Sequence, residues 1–432
     1  REASSAAGTG VCGIAFYLRL KSFSFFILAQ NTAGGNVSRL TFTNIYIKMI
    51  NIKVFVGGVC SVRRLLGRLL GDRRVVGGLL LILQLVIVLY GLEWLSTRWA
   101  WVPYLFTVLS VIMVIWLVRK YDNPTYKISW IIGILLLPLF GGVFYLFWGN
   151  TPFNRARTQH QYEPKPPKFS DYMRLPATEQ LAKEHPHHAA RAHYIASLDG
   201  MPAWTNTETR YFRVGEEMFS SMCDELQRAH KFIFLEYFII EEGVMWNTIL
   251  DILKCKAQQG VDVRVMYDDV GSIATLPQHY DRYLSSLGIR AVRFNRFIPT
   301  LNTYLNYRNH RKMMIIDGNV SYMGGINLAD EYINKKVRFG HWKDTGIMLC
   351  GEGTANMTAL FLQMWEYVTG ETVPVLDDYL PTVKRPADGY VQPFADSPLD
   401  DINIGESTYL QIIHSARKYV YITTPDLVLD NE

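Results

Sequence analysis

Three apolar runs stand out along the chain, at residues 75–95, 100–118 and 128–148. Each is about 20 residues, the length a helix needs to cross roughly 30 Å of hydrocarbon. Glu93 is the only charged residue in the first run, and the other two carry none. A buried helix of a soluble protein could have this composition once, but three such runs within 75 residues predict transmembrane helices. Trp94, Trp99, Trp101, Tyr104, Tyr145 and Trp148 stand near their ends, where an interfacial belt would place them.

Basic residues bear on orientation. Arg63, Arg64, Arg68, Arg73 and Arg74 precede the first run, which puts that side in the cytoplasm. Arg119, Lys120 and Lys127 lie between the second and third runs, against Arg98 alone between the first and second. Three crossings would carry everything after Trp148 outside. Arg155, Arg157, Lys165 and Lys168 argue the opposite, so the two counts conflict, with a lean to a cytoplasmic catalytic region.

Residues 1–74 form an N-terminal region of little pattern. The chain opens with Arg1 in "REASSAAGTG", and its first methionine is Met49. Translation is expected to begin at or near Met49, with residues 1–48 disordered or foreign to the protein; a signal peptide is the alternative. After the apolar runs, residues 149–206 turn polar and rich in proline and histidine, as a linker or membrane-surface segment would be. His185, His187, His188 and His193 cluster there without acidic or cysteine partners, and are expected to be solvated rather than metal-bound.

From residue 207 the period changes to that of an α/β domain extending to about 390. Gly215–His230 predicts an amphipathic helix, Phe232–Ile240 a buried strand and Asn247–Gln259 a second helix. Val261–Tyr267 predicts a second strand running into "DDVGS", and His279–Leu287 a third helix. Strands alternating with helices imply a parallel or mixed sheet flanked by helices. Catalytic groups in such sheets collect where strands end.

Composition narrows the class only slightly. The net charge of +5 on 432 residues gives no strongly basic face, so a nucleic-acid partner is not expected. The five cysteines are scattered, with no C-x-x-C pair, and read as free thiols; no metal or other cofactor is implied.

The chemistry concentrates in "NHRKMMIIDG" at residues 309–318. On a strand, His310 and Lys312 would project from one face about 7 Å apart. Asp317-Gly318-Asn319 signals a tight turn that returns the chain along "VSYMGGIN". That return would bring Gly324, Gly325 and Asn327 beside the pair, the glycines allowing close substrate approach and Asn327 offering an uncharged donor. Imidazole is a competent nucleophile at phosphorus, and lysine and asparagine would stabilise charge growing on the non-bridging oxygens. Asp317 falls on the opposite strand parity, which suits pinning the turn. Asp344 in "HWKDTGI" is the candidate to hold His310 in one tautomer.

The string H-x-K-x4-D followed by G-G-x-N resembles the defining motif of the phospholipase D superfamily, and within it the chain resembles the bacterial cardiolipin synthases. The segments that carry the likeness are "NPTYKISWIIGILLLPLFGGVFYLFWG", "FIFLEYFIIEEG", "VMYDDVGS", "NHRKMMIIDGNVSYMGGINLADEY" and "HWKDTGI". The resemblance implies membrane helices followed by a phospholipase D-like α/β domain. It implies transfer of a phosphatidyl group between two phosphatidylglycerols, releasing glycerol, through a phosphohistidine and without metal. His310, Lys312 and Asp317 are the catalytic set so implied. Gly324, Gly325, Asn327, Asp344 and Glu236 are expected to bind the substrate phosphate or support the site. The expected setting is the bacterial cell membrane, with several crossings.

Such enzymes carry two copies of the motif, and H-x-K-x4-D occurs once here. "AHKFIFLEYFI" at 229–239 is echoed by "ARKYVYITTPD" at 416–426, an offset of 187, each after a helix opened by Gly-Glu. Residues 391–432 are therefore expected to start a second, truncated half, with Asp426 where the family usually has an aromatic residue. The 432 residues by themselves are expected to be inactive. Competing readings are another phospholipase D-type transferase or hydrolase, a homodimeric nuclease, and an inactive membrane-bound protein.

Overall fold

The computed structural model of the chain describes residues 73–120, 124–149, 176–297, 308–372, 377–397 and 403–424. The region before Arg73, including Met49 and most of the first basic cluster, lies outside the described residues, as do residues 150–175 and Asp426.

The first two apolar runs form helices α1 (Arg73–Arg98) and α2 (Val102–Arg119). Both are long and apolar enough to cross a membrane. Most large side chains on and between them, Trp94, Trp99, Trp101 and Ile112 among them, are exposed, which aqueous surroundings would penalise.

The third run does not make a continuous helix. It gives α3 (Pro124–Leu136), then α4 (Pro138–Phe144), then a wide turn at Tyr145–Gly149. Pro138 lacks an N–H and its ring clashes with the preceding turn, so α3 stops before it. Gly141 then packs on the Gly133 carbonyl, where a Cβ would come within 2.5 Å. The two ends of the run meet: the Tyr126 hydroxyl donates to the Gly149 carbonyl at 3.2 Å, and the Trp130 and Tyr145 rings lie 5.3 Å apart. The expected third span is thus a helical hairpin.

Residues 176–199, read from sequence as linker, fold as α5 (Pro176–Glu184) and α6 (Pro186–Asp199). Pro176 and Pro186 each stand at the first helical position, where a missing N–H costs nothing. The four histidines lie on or beside α6, where His185 and His188 rings are 6.4 Å apart. Among the described residues no group of three or more His, Cys, Asp or Glu could hold a metal ion.

The α/β region is built on one seven-stranded mixed sheet in the order β1-β7-β6-β5-β2-β3-β4. Its strands are β1 (Thr207–Phe212), β2 (Phe232–Tyr237), β3 (Asp262–Asp268), β4 (Arg290–Phe294), β5 (Met313–Ile316), β6 (Val320–Gly324) and β7 (Gly346–Gly351). β2, β3 and β4 run parallel, and β5 pairs antiparallel with β2 and β6. Helices α7 (Gly215–Gln227), α8 (Val244–Gln258) and α9 (Tyr280–Ser286) fall where the apolar spacing predicts them.

Alternation along β2 separates two cores. Ile233, Leu235 and Tyr237 pack with Met218, Trp246 and Leu250 from α7 and α8. Phe232 and Phe234 face the other way, toward α10 (Thr354–Thr369), where Phe234 stacks on Phe361 at 4.6 Å. Glu236 shares the second parity and is fully buried.

α11 (Ile404–Ser415) follows the Gly-Glu signal, as expected. The predicted repeat strand does not form: residues 416–424 make no ladder, and Tyr419 and Tyr421 are 70% and 86% exposed. A strand needs a neighbouring strand to accept its backbone bonds, and among the described residues no ladder joins this segment to the sheet.

Candidate functional site

The sheet brings the motif segments to one edge. β2, β3 and β6 end there, and β5 and β7 begin there, since Glu236 pairs with Met313 and Gly324 with Gly346. Asp268 closes β3 at that edge, and just beyond it lie Phe238, His310, Lys312, Gly325 and Asp344.

His310 and Lys312 precede β5 instead of lying on it, so strand alternation does not set their direction. Phe238 does. The His310 ring meets the Phe238 ring edge-on at 4.6 Å, and the Lys312 ammonium sits over the same ring at 5.4 Å. Lys312 Nζ also donates to the His310 carbonyl at 2.7 Å. His310 is exposed and Lys312 half-buried. Burial depresses the Lys312 ammonium to about 8, against the opposing pull of the Asp344 carboxylate.

Behind this pair, Asn309 is held by two buried acids. Its backbone N–H donates to Asp268 Oδ2 at 3.0 Å and its side-chain amide to Glu236 Oε1 at 2.6 Å. Its own Oδ1 accepts the Arg311 N–H at 3.1 Å. Asp268 Oδ1 takes the Val270 and Gly271 N–H groups and an Arg308 guanidinium N–H. Burial pushes both carboxyls up; Arg311 and Asn309 oppose this at Glu236, and the backbone donors with Arg308 oppose it at Asp268. Glu236, 0% exposed, can support the site but cannot touch a substrate in this arrangement.

The other expected residues are placed as follows. Asn327 is buried; its Oδ1 accepts the Ile239 N–H at 3.0 Å and its amide donates to Tyr332 at 2.7 Å. It therefore fixes the backbone just past Phe238, and the amide expected to face substrate is bonded to Tyr332. Gly324 and Gly325 are exposed, but the space for a Cβ is taken by the Thr345 carbonyl and the Asp344 carboxylate. Their lack of a side chain is required by protein packing at this edge. Asp344 lies over Gly325 and accepts the Thr345 N–H at 2.8 Å.

Asp317 is at the opposite end of β5, five residues from Lys312 or about 16 Å along a strand. Its carboxylate accepts the N–H groups of His230, Lys231 and Phe232 at 2.8, 2.7 and 3.0 Å. Asp317 is thus grouped with the catalytic set by the motif and apart from it in space. It caps the start of β2 from a left-handed turn position (φ 53°).

Sequence reasoning missed Phe238, Asn309 and Asp268. Asn309 adjoins the motif, Asp268 opens "DDVGS" and Phe238 lies in "FIFLEYFIIEEG"; the strand expected over Phe232–Ile240 ends at Tyr237, which puts Phe238 at the sheet's end instead of within a strand. Gly271 matters to it, since a Cβ there would meet the Phe238 carbonyl at 2.2 Å.

Residues 222–342 match the family described as "Cardiolipin synthase, PLD-like domain". Residues 108–150 match "Phospholipase D-nuclease N-terminal". The chain is 42% identical to an uncharacterized protein of Streptococcus mutans, over 74% of this chain and 69% of that one. It is 35% identical to cardiolipin synthase 2 of Bacillus anthracis, over 72% of this chain and 61% of the relative. It is 31% identical to the cardiolipin synthase of Halalkalibacterium halodurans, over 81% and 71%. The matched region thus spans 61% to 71% of the length of these relatives.

Proposed function

Because the chain belongs to the cardiolipin synthase family of phospholipase D-like proteins, we propose that the whole protein transfers a phosphatidyl group from one phosphatidylglycerol to another. In the first step a ring nitrogen of His310 attacks phosphorus, the bond to the headgroup glycerol breaks, and glycerol leaves with a proton. In the second, the terminal hydroxyl of another phosphatidylglycerol attacks the phosphohistidine, loses its proton and restores the free imidazole. Lys312 stabilises the non-bridging oxygens as charge grows on them.

The observation that carries this reading is the joint packing of His310 and Lys312 on Phe238 at an open sheet edge. It supports a nucleophile and a cation held side by side where a headgroup can reach. One histidine cannot attack and also protonate the leaving group in the same step. The proton is assigned to a second motif of the whole protein.

The hairpin at 124–149 supports two crossings, with the catalytic region in the cytoplasm. Under two crossings the basic residues before α1, between α2 and α3, and after Gly149 all share one side, leaving Arg98 on the other. The conflict between the two counts then disappears.

The test is product formation. The full-length protein, reconstituted in phosphatidylglycerol vesicles, is expected to release cardiolipin and glycerol in equal amounts. Phosphatidic acid without cardiolipin would show a hydrolase instead, and neither product would overturn the reading.

A further inference from the structure

Residues 335–343 ("KKVRFGHWK") leave the site edge as a loop with a fixed stem. Asn334 closes it: its amide donates to the Trp342 carbonyl and to Glu216, both at 2.8 Å, and its Oδ1 accepts the Trp342 N–H at 2.7 Å. Trp342 packs on Tyr332 at 5.1 Å, and the Lys335 N–H donates to the Asp330 carbonyl at 2.9 Å. Next along the chain, Asp344 lies against Gly325 and acts on Lys312, so the stem joins the site itself.

The tip is apolar and outward. Val337 and Phe339 are 82% and 79% exposed, more than any other large apolar side chain described between residues 176 and 397. Scattered apolar residues on a surface are ordinary. A pinned loop that presents two of them beside a catalytic edge calls for a partner.

Charge says which. Lys335, Lys336, Arg338 and Lys343 surround the two apolar residues, and the stretch 335–343 holds no acid. Lys336 pairs with Glu241, and Arg338 with Glu331 at 2.9 Å, each cation still half exposed, which leaves the loop cationic. Apolar tips between cations suit an anionic bilayer surface, where the side chains enter the acyl boundary and the cations meet headgroups.

We propose that the 335–343 loop docks into the anionic membrane surface through Val337 and Phe339 and seats the catalytic edge on the lipid. The proposal rests on the lipid reading of the site only for its purpose, and its test is independent of turnover. Phe339 is replaced by the photoreactive analogue p-benzoylphenylalanine in the full-length protein, reconstituted in vesicles of phosphatidylglycerol and phosphatidylcholine. Illumination is expected to give a lipid adduct on residue 339, and none on Tyr211 replaced in the same way at the exposed β1 edge. The yield should fall several-fold in pure phosphatidylcholine, and again with Lys335→Gln and Lys343→Gln. Crosslinking to a second copy or to another segment of the protein would overturn the proposal, as would an absent adduct, one equally strong at both positions or one insensitive to lipid charge. A protein that forms the adduct but makes no cardiolipin keeps the loop and loses the proposed function. One that makes cardiolipin without the adduct loses the loop alone.

Discussion

The side-chain amide of Asn309 donates to Glu236 Oε1 at 2.6 Å, joining residues 73 apart and fixing the backbone directly before His310. Both partners are buried, so breaking the contact strands a polar group away from water.

Glu236→Ala is therefore expected to destabilise the protein by about 2–4 kcal/mol, because it leaves the buried Asn309 amide without its carboxylate acceptor and removes the acid that faces Arg311 at 3.8 Å. Glu236→Gln keeps an acceptor for Asn309 and should retain most activity. Asn309→Ala should lower kcat by about a hundred-fold, the scale of a misplacement near 1 Å, with little change in KM. Thermal unfolding in detergent and steady-state kinetics check this. A Glu236→Ala protein with wild-type stability and kcat would show that the contact positions nothing.

Lys312 is expected to make the rate fall at high pH. Burial favours its neutral form and brings it to about 8, so its charge is present below that value and lost above it. The pH profile of kcat/KM should bend down near 8. Asp344 favours the protonated form, so Asp344→Asn should move the bend to lower pH. Lys312→Arg, always charged, should show no bend below about 10 in whatever activity remains. A bend that stays at the same pH in both variants would assign it to another group.

Asp317 offers a contrast with the residues that share its motif. Asp317→Ala leaves three backbone N–H groups without their acceptor, at a cost of about 1–3 kcal/mol. The folded fraction should keep kcat within a few-fold of wild type. A loss comparable to that of His310→Ala at unchanged melting temperature would place Asp317 in the chemistry after all.

The hairpin and the membrane side can be read from native thiols. Cys255 is exposed on α8. A membrane-impermeant maleimide, with labelling read peptide by peptide, is expected to reach Cys255 in inside-out but not right-side-out vesicles. A cysteine introduced by Ser96→Cys, in the last turn of α1, should behave oppositely. Labelling of both from the same side would rule out two crossings.

The apolar runs that alternate with amphipathic helices, and the Asp-Gly turn, made β2, β3 and the β5–β6 hairpin legible, because local chemistry and buried pattern agree there. The break in the third apolar run was legible too, in Pro138 and Gly141-Gly142, but hydropathy averages over such residues. The Tyr419–Ile422 echo of β2 failed as a strand because a strand is decided by its neighbours, which the segment's own sequence does not contain. At the site, the motif gave His310 and Lys312 but not what aims them. The Phe238 ring and the Asn309–Glu236 contact arise from pairing between residues about 70 apart, and no local pattern encodes that distance.

In the proposed mechanism His310 carries the phosphatidyl group. Full-length protein mixed with phosphatidylglycerol labelled at phosphorus, and quenched in alkali during turnover, would be digested and mapped. The label is expected on the peptide containing His310 and should be absent in His310→Ala. Label on a different histidine, or steady turnover by His310→Ala above about a tenth of wild type, a barrier change of only ~1.4 kcal/mol, would contradict the account.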